Sequence, residues 1–305
     1  MTTSYLGKHH IHSHWDRTLH PVLEIRPGKE IFFDLPDASN GEVTPESTAE
    51  QIGQMDFRKM DPLIGPVWVE GAEPGDALEV EILDIKPKKF GWTALLPHFG
   101  LLADQFTEPR LKIWDIDGRD EIDVFGSKFT LCPMLGCVGV APEQDGQFAS
   151  VTPTHVGGNI DVKYVVAGSH LFLPVQNPGA LLSVADGHAL QGDGEISGTA
   201  IECPVDTTIK VHLHKGMNLR APQVVTGPIK QTVDEGYRIF MGIGPDLMQA
   251  AREACLQATE AIAKSLQVDE ADAYNLLGIL GDLRIHEIVD QPNWVVGCLI
   301  PERLF

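Results

Sequence analysis

The stretch Pro74-Gly75-Asp76-Ala77-Leu78-Glu79-Val80-Glu81-Ile82-Leu83 shows the pattern that most of this chain follows. A Pro-Gly turn comes first, and apolar residues then alternate with glutamates, which is the two-residue period of a strand with one buried face. The same order recurs where Pro27-Gly28 precedes residues 30–34 and Pro178-Gly179 precedes residues 180–184. Repeated turns that lead into short strands are typical of a β-sandwich or jelly roll.

Near the C-terminus the period changes to that of a helix. Small and apolar residues follow the i, i+3, i+4 spacing over residues 247–262, with Asp246 as a candidate N-cap, and a second helix is predicted over residues 270–280. We therefore predict a mainly β protein with a β-sandwich or jelly-roll-like body and a helical insertion at about 245–281. The chain lacks a linker of low complexity, so we predict one domain over residues 1–305.

The sequence also predicts how some strands are connected. Asp117-Gly118 is a preferred hairpin turn, so residues 112–116 and 121–125 are predicted to pair. Residues 284–289 and 294–300 are predicted as two strands that rejoin the β body.

Charge and cysteine content exclude several classes of function. The 305 residues include 23 Lys and Arg against 43 Asp and Glu, a net charge of −20. This charge disfavours nucleic-acid binding and binding to an anionic membrane surface. The five cysteines are scattered without a CxxC spacing. No apolar run reaches the roughly 18 residues of a membrane span, and the first residues lack the apolar core of a signal peptide. We predict a cytoplasmic protein with reduced thiols.

Polar residues are concentrated in the segment 157–202. Asp186 and His188 are two residues apart after a predicted strand, so in an extended backbone they point to the same side. A carboxylate and an imidazole that converge in this way are suitable ligands for a divalent metal. The spacing alone also fits a tight Gly-Asp surface loop, and it does not match the EF-hand pattern.

Six short motifs follow one another in this segment. They are Gly157-Gly158-Asn159-Ile160-Asp161, Leu173-Pro174-Val175, Pro178-Gly179-Ala180, Asp186-Gly187-His188-Ala189, Gln191-Gly192-Asp193-Gly194-Glu195 and Ala200-Ile201-Glu202. In this order they resemble the acetamidase/formamidase family. A weaker likeness extends over nearly the whole chain and includes His12-Ser13-His14-Trp15-Asp16.

The resemblance implies hydrolysis of short linear amides, such as formamide or acetamide, to a carboxylate and ammonia. It also implies lactam opening in some members, a bound divalent metal (zinc or calcium) and a dimer-based assembly. The chain departs from the family at Ile160, where Met is frequent, and at Ala185, where Gly is usual. Both positions adjoin the predicted site and therefore bear on the choice of substrate.

Amide hydrolysis needs a nucleophile, stabilisation of an oxyanion and a proton for the leaving nitrogen. A bound metal can supply the nucleophile as metal-bound water, because it lowers the pKa of that water towards neutrality. The predicted site residues are the metal ligands Asp161, Asp186, His188 and Glu202, the general base Glu195, and the substrate-binding residues Asn159, Gln191 and His12.

Several alternatives remain open for these residues. Glu202 also fits a buried acid in a charge pair, and Glu195 fits a turn acid that accepts hydrogen bonds from the backbone. Asn159 and Gln191 could equally hold their own loops in shape. Cys137 lacks a neighbour in sequence that would activate its thiol, which disfavours a thiol mechanism. The alternative function is a non-catalytic, calcium-dependent jelly-roll protein that binds a small polar ligand.

Overall fold

Strands form along most of the chain in this computed structural model, which describes residues 3–56, 59–154, 156–219, 222–225, 237–287 and 294–305. The strands, in chain order, are β1 Ser4–Leu6, β2 Ile11–His12, β3 His14–Trp15, β4 Leu23–Ile25, β5 Lys29–Leu35, β6 Leu63–Val69, β7 Ala77–Pro87, β8 Phe90–Leu95, β9 Arg110–Asp115, β10 Glu121–Val124, β11 Ser127–Thr130, β12 Met134–Gly139, β13 Phe148–Ala149, β14 Gly157–Asn159, β15 His170–Pro174, β16 Leu182–His188, β17 Val205–His214, β18 Gln223–Val225, β19 Tyr237–Gly244, β20 Asp282–Glu287 and β21 Trp294–Pro301. The helices are α1 Ala49–Ile52, α2 Leu247–Leu266 and α3 Glu270–Leu280.

Two large sheets form the body of the molecule. One sheet has the strand order β1-β5-β17-β7-β15-β18, and the other has the order β14-β12-β16-β6-β2, with β4 also paired to β6. Leu78, Val80 and Ile82 of β7 are fully buried, and they share one continuous core with Leu135 and Val184 of the second sheet. The predicted mainly β class, with a sandwich body and a C-terminal helical segment, is confirmed.

The two C-terminal helices begin where the sequence predicts. Asp246 caps α2 by accepting a hydrogen bond from the backbone N–H of Gln249 (2.8 Å), and Asp269 caps α3 in the same way from Asp272 (2.7 Å). The apolar face of α2 packs on β19 and β21. The assignment of the whole chain to a single domain stays a prediction.

Two connections differ from the sequence-based predictions. The predicted hairpin around Asp117-Gly118 is wrong, because β9 pairs with β8 and β10 pairs with β11. The β10–β11 turn is Phe125-Gly126, and both residues have positive φ (50° and 87°), as a two-residue hairpin turn of type I′ requires. The two last strands do not join either large sheet, since β20 and β21 form a three-stranded sheet with β19. Residues 288 and 289 of that prediction lie outside the described residues.

The C-terminal sheet is fastened to the loop that follows β16. The backbone N–H of Leu283 donates to the carbonyl of Asp193 (2.9 Å), and the backbone N–H of Asp193 donates to Oδ1 of Asp282 (2.9 Å). Lys163 is buried and forms ion pairs with Asp282 and Asp193. A Cβ added at Gly192 would lie 1.8 Å from the carbonyl oxygen of Gly281. The loop and the C-terminal sheet are therefore in backbone contact, which only glycine permits.

We expect Gly192→Ala to destabilise the protein by about 1–3 kcal/mol, because the added methyl group must displace the backbone at Gly281. Chemical denaturation at equilibrium measures this loss. The matched control is Gly53→Ala, since Gly53 has an ordinary φ of −64° and its added Cβ would lie no closer than 3.4 Å to a neighbour. Equal stability of the two variants would contradict the proposed backbone contact.

Candidate active site

The site forms where two carboxylates meet over a glycine. β12 lies between β14 and β16, and Gly136 is in the middle of β12. A Cβ added at Gly136 would lie 2.2 Å from Oδ2 of Asp186 and 2.5 Å from Oδ1 of Asp161. Asp186 belongs to β16, and Asp161 follows β14 two residues after its end. The absence of a side chain on Gly136 therefore leaves room for both carboxylates.

The imidazole of His188 and the carboxylate of Glu202 are the third and fourth groups at this place. Nε2 of His188 lies 3.0 Å from Oδ1 of Asp186 and 3.0 Å from Oε2 of Glu202. Glu202 is held beside His188 by an isolated antiparallel bridge between the two residues. Its other carboxylate oxygen accepts a hydrogen bond from the backbone N–H of Ala200 (2.8 Å). One imidazole nitrogen thus faces two carboxylate oxygens at equal distance.

Gln191 determines which nitrogen of His188 carries the proton. The side-chain Nε2 of Gln191 donates to the carbonyl of Asp161 (2.8 Å), so its Oε1 faces Nδ1 of His188 (2.7 Å). Because Oε1 only accepts, Nδ1 of His188 must donate. In the neutral imidazole, Nε2 then presents a lone pair to the carboxylates of Asp186 and Glu202. The Nε2 lone pair and the carboxylate oxygens repel one another, and a cation bound between these three acceptors would remove that repulsion. A histidine that binds a metal through one ring nitrogen usually donates a hydrogen bond from the other, as Nδ1 of His188 does here.

The carboxyl groups around His188 are buried close together, and this raises several of their pKa values. Burial raises the pKa of Asp161 to about 8, and the neighbouring carboxylate of Asp186 adds to the effect. Burial likewise raises the pKa of Glu202 to about 7 and that of Glu195 well above its usual range. Burial alone would lower the pKa of His188, but Asp186 and Glu202 outweigh it and raise the pKa well above its usual value. Without a metal these carboxylates therefore favour the protonated imidazole of His188, and with a metal bound the cation would balance their charge while His188 is neutral.

Several buried oxygen atoms of these residues have no hydrogen-bond donor, so they are available to bind a metal. Oδ1 of Asp161 and Oδ1 of Asn159 are buried without a hydrogen-bond donor. Oε2 of Glu202 has no aligned donor either, although it lies 3.0 Å from Nε2 of His188. Two sets of ligand atoms lie within 4.8 Å of one another, and His188 belongs to both: Asp161 with Asp186, and Glu195 with Glu202. Carboxylate oxygens and an imidazole nitrogen suit several divalent ions.

These groups border a small cavity of about 70 Å³. Its lining includes Asp61, Asn159, Asp186, His188, Glu195 and Glu202. Pockets for drug-sized ligands measure about 300–1,000 Å³. The cavity therefore has room for a molecule of a few non-hydrogen atoms.

Four of the acids hold an unusual backbone conformation. Asp61, Asp161, Asp186 and Glu195 have positive φ, at 48°, 46°, 59° and 39°. Residues other than glycine rarely adopt this region, and such residues cluster at functional sites because the surrounding structure must hold them there. The backbone at these four acids accepts an unfavourable conformation, and this conformation sets the direction of their carboxylates.

The structure brings together most of the residues that the sequence singles out. Asp161, Asp186, His188, Glu195 and Glu202 converge, with Asn159 and Gln191 beside them. Both ends of the Gln191 amide are engaged within the protein, so its predicted contact with substrate stays a prediction.

His12 lies apart from this group. Its Nδ1 is 2.9 Å from the carbonyl of His14, and its Nε2 is 2.9 Å from Oγ of Ser183. Burial lowers the pKa of His12. The described lining of the cavity does not include His12, and its predicted role at the site stays a prediction.

Asp61 was missed by the sequence analysis. It is buried and lines the cavity, and burial together with Asp186 raises its pKa well above the usual range. Asp61 is far from the 157–202 segment in sequence and belongs to none of the quoted motifs. The one local signal is the pair Asp61-Pro62 just before an apolar strand, which also fits an ordinary turn.

Cys137 is buried beside the acids. Burial raises the pKa of its thiol well above the usual value, and the carboxylates of Asp61, Asp186 and Asp161 raise it further. A nucleophilic cysteine needs the opposite shift, since the thiolate is the reactive form. The environment of Cys137 is that of an inert core thiol.

Comparison with known proteins decides the family. A sequence profile of the acetamidase/formamidase family matches residues 3–147 and 145–305, which together span nearly the whole chain. The chain belongs to the acetamidase/formamidase family. As a member of this family, the protein is a hydrolase of linear amides.

Individual relatives agree with this assignment. The chain is 29% identical to the formamidase of Methylophilus methylotrophus, over 97% of this chain and 89% of that protein. It superposes on the gamma lactamase from Delftia acidovorans with a TM-score of 0.89, at 28% identity, over 97% of this chain and 89% of the other. The acetamidase from Bacillus halodurans gives a TM-score of 0.69 at 30% identity, over 97% and 96%. No helix among the described residues has the length and hydropathy to cross a membrane.

We expect the metal-free protein to lose thermal stability as the pH rises from 5 to 8. In the folded chain Asp161 and Glu202 have pKa values of about 8 and about 7, whereas unfolded carboxyls titrate near 4. The folded state thus holds more protons between these values, and its stability falls as the pH rises through them. A saturating divalent ion should restore most of the loss at pH 8.

Thermal unfolding at several pH values, with and without zinc or calcium, measures both effects. The matched variant is Gly136→Ala, whose added Cβ occupies the space between the two aspartates and should abolish the response to metal. A melting temperature independent of pH and metal would contradict the interpretation of this cluster.

Proposed function

We propose that the protein hydrolyses short linear amides, such as formamide and acetamide, to a carboxylate and ammonia with the help of a divalent metal, zinc or calcium. The convergence of His188 with several buried carboxyls at a cavity of about 70 Å³ is the observation that supports this best. A primary amide of one or two carbons suits a cavity of this size.

Asp161, Asp186, His188 and Glu202 would hold the metal. A divalent ion at this place supplies a Lewis acid that polarises the amide carbonyl and lowers the pKa of water towards neutrality. Gln191 keeps the Nδ1 proton of His188 in place, so that Nε2 stays available as a ligand. The ligand role of Glu202 and the choice of metal are parts of this proposal.

Asn159 orients the substrate in this proposal. Its Oδ1 is buried without a donor, and it lines the cavity. A primary amide carries two N–H donors on the atom that must leave, and Oδ1 of Asn159 accepts one of them. This bond would fix which end of the amide lies deeper in the cavity and would fill an acceptor that is otherwise unsatisfied.

Glu195 moves the proton in this proposal. Its carboxylate accepts a proton from water as the water oxygen bonds to the carbonyl carbon. Glu195 then returns that proton to the nitrogen as the C–N bond breaks, and ammonia leaves. Burial raises the pKa of Glu195, which favours the protonated carboxyl between the two proton transfers.

A γ-lactam is a second candidate substrate. The observation in its favour is the TM-score of 0.89 with a gamma lactamase, against 0.69 with an acetamidase at the same coverage of this chain. Incubation with 2-pyrrolidinone distinguishes the two classes, because ring opening leaves an amine on the product and releases no ammonia.

The same proposal includes a dimer-based assembly and a cytoplasmic location. The five cysteines all lie among the described residues and form no disulfide with one another, which supports a reducing compartment. The dimer-based assembly is proposed only because the chain resembles the acetamidase/formamidase family.

We expect ammonia release from formamide or acetamide to fall at least tenfold after removal of metal by a chelator and to recover when a divalent ion is added back. Ammonia assays on the dialysed protein, with metal content determined on the same sample, measure this. Full activity in metal-free protein would overturn the metal-assisted mechanism. No turnover with any amide, metal-loaded or not, would instead favour the calcium-dependent binding protein.

We expect Glu195→Gln to lower kcat by about 10²–10⁴-fold while metal content stays near that of the unchanged protein, because the amide of Gln cannot accept the proton. Turnover, metal stoichiometry and melting temperature are measured on one preparation. A parallel loss of metal and activity would make Glu195 a ligand, in line with its position near His188 and Glu202. Near-normal turnover would remove Glu195 from the mechanism.

A further inference from the structure

A much larger groove lies beside the small cavity. Its volume is about 610 Å³, which is within the range of pockets that hold whole small-molecule ligands. The groove runs between the loop near residue 99, the start of α2 and the strands β20 and β21. Its apolar lining includes Leu101, Leu247, Met248, Leu283, Ile285 and Val296.

The groove and the cavity share part of their walls. Phe99, Glu195 and Gly198 line both. Gly198 has a φ of 94°, and a Cβ added there would lie 2.6 Å from Cδ1 of Phe99. The aromatic ring therefore lies directly against the backbone at the wall that the two spaces share. A molecule whose reacting group lies near Glu195 has the groove next to it.

The groove leaves large apolar side chains in contact with water. Phe99, Met248 and Ile285 are 46%, 61% and 56% exposed. Apart from Glu195 at the shared wall, Arg284 is the one charged residue in the described lining of the groove. Apolar surface that is concentrated beside a catalytic cavity is typical of a binding surface.

These features fit one kind of occupant. The shared wall carries a carboxyl, and the rest of the groove is apolar except for Arg284, which is paired with Asp282. The space therefore matches a molecule with an amide at one end and a hydrocarbon group at the other.

We propose that the protein prefers amides that carry an apolar group of several carbons, with the amide in the cavity and the hydrocarbon in the groove. This inference rests on the proposed amide hydrolysis and extends it to a substrate class. Binding of the hydrocarbon acts equally on the ground state and the transition state, so it lowers KM rather than raising kcat. Each buried CH₂ group should raise kcat/KM about fourfold.

The first test is a series of primary amides of increasing length: acetamide, butanamide, hexanamide and octanamide. Hexanamide has four more CH₂ groups than acetamide, so the expected result is a rise in kcat/KM of about 10²-fold between the two, caused by a lower KM. A flat or falling series, with acetamide hydrolysed, would overturn this inference and leave the proposed hydrolysis intact. No hydrolysis of any amide would overturn both.

The second test changes the groove without touching the cavity. Met248→Glu and Ile285→Glu each place a charge on the exposed apolar surface and should lower kcat/KM for hexanamide at least tenfold, with acetamide hydrolysis unchanged. Leu83→Glu is the matched control, because Leu83 is an exposed leucine of β7 that is absent from the groove lining, and it should affect neither substrate.

The second test also identifies a competing occupant. If Met248→Glu alters the oligomeric state in size-exclusion chromatography and lowers the rates with both amides equally, the groove is a contact between copies and the inference is wrong. If both charged variants leave the hexanamide rate unchanged, the hydrocarbon lies elsewhere and the inference is likewise wrong.

Discussion

The mutual repulsion of buried carboxyl groups is the constraint on which the site depends. Asp61, Asp161, Asp186, Glu195 and Glu202 surround one imidazole, and burial removes the water that would otherwise separate their charges. Such a cluster persists only if protons or a cation balance it. The same requirement explains why the pKa values of Asp61, Asp161, Glu195 and Glu202 are all raised. The folded β-sandwich supplies the energy that holds these groups in place.

The sandwich contributes rigidity, and the loops contribute direction. β12 and its neighbours set the spacing of Asp161 and Asp186 by backbone pairing, with Gly136 between them. Positive φ at four acids then turns each carboxylate away from the path that an ordinary strand would impose. A regular strand alternates its side chains between two faces, so it cannot bring so many acids to one point. The irregular conformations are therefore part of how the site is made.

Local patterns in the sequence predicted the elements whose formation depends on neighbouring residues, namely single strands and helices. Alternation identified β7, and helix spacing with caps at Asp246 and Asp269 located α2 and α3. The 157–202 motifs contain most of the converging ligands, because those residues are near one another along the chain as well as in space. Asp61 was missed because tertiary folding alone brings it to the cavity. The hairpin at Asp117-Gly118 was wrong for a similar reason: the turn residues permit a hairpin, but the pairing partners β8 and β11 determine which strands meet.

The backbone contact between Gly192 and Gly281 has a consequence for biosynthesis. The segment that carries Glu195 is secured by residues near the C-terminus, through Asp282 and Leu283. Asp282 and Leu283 are synthesised after every strand of the two large sheets, so the clamp on this segment cannot form until those strands have been translated. The sandwich can fold earlier, since domains fold as units during synthesis. The enzyme therefore completes its carboxylate cluster late: the sandwich of a nascent chain can fold before the segment that carries Glu195 is fixed in place.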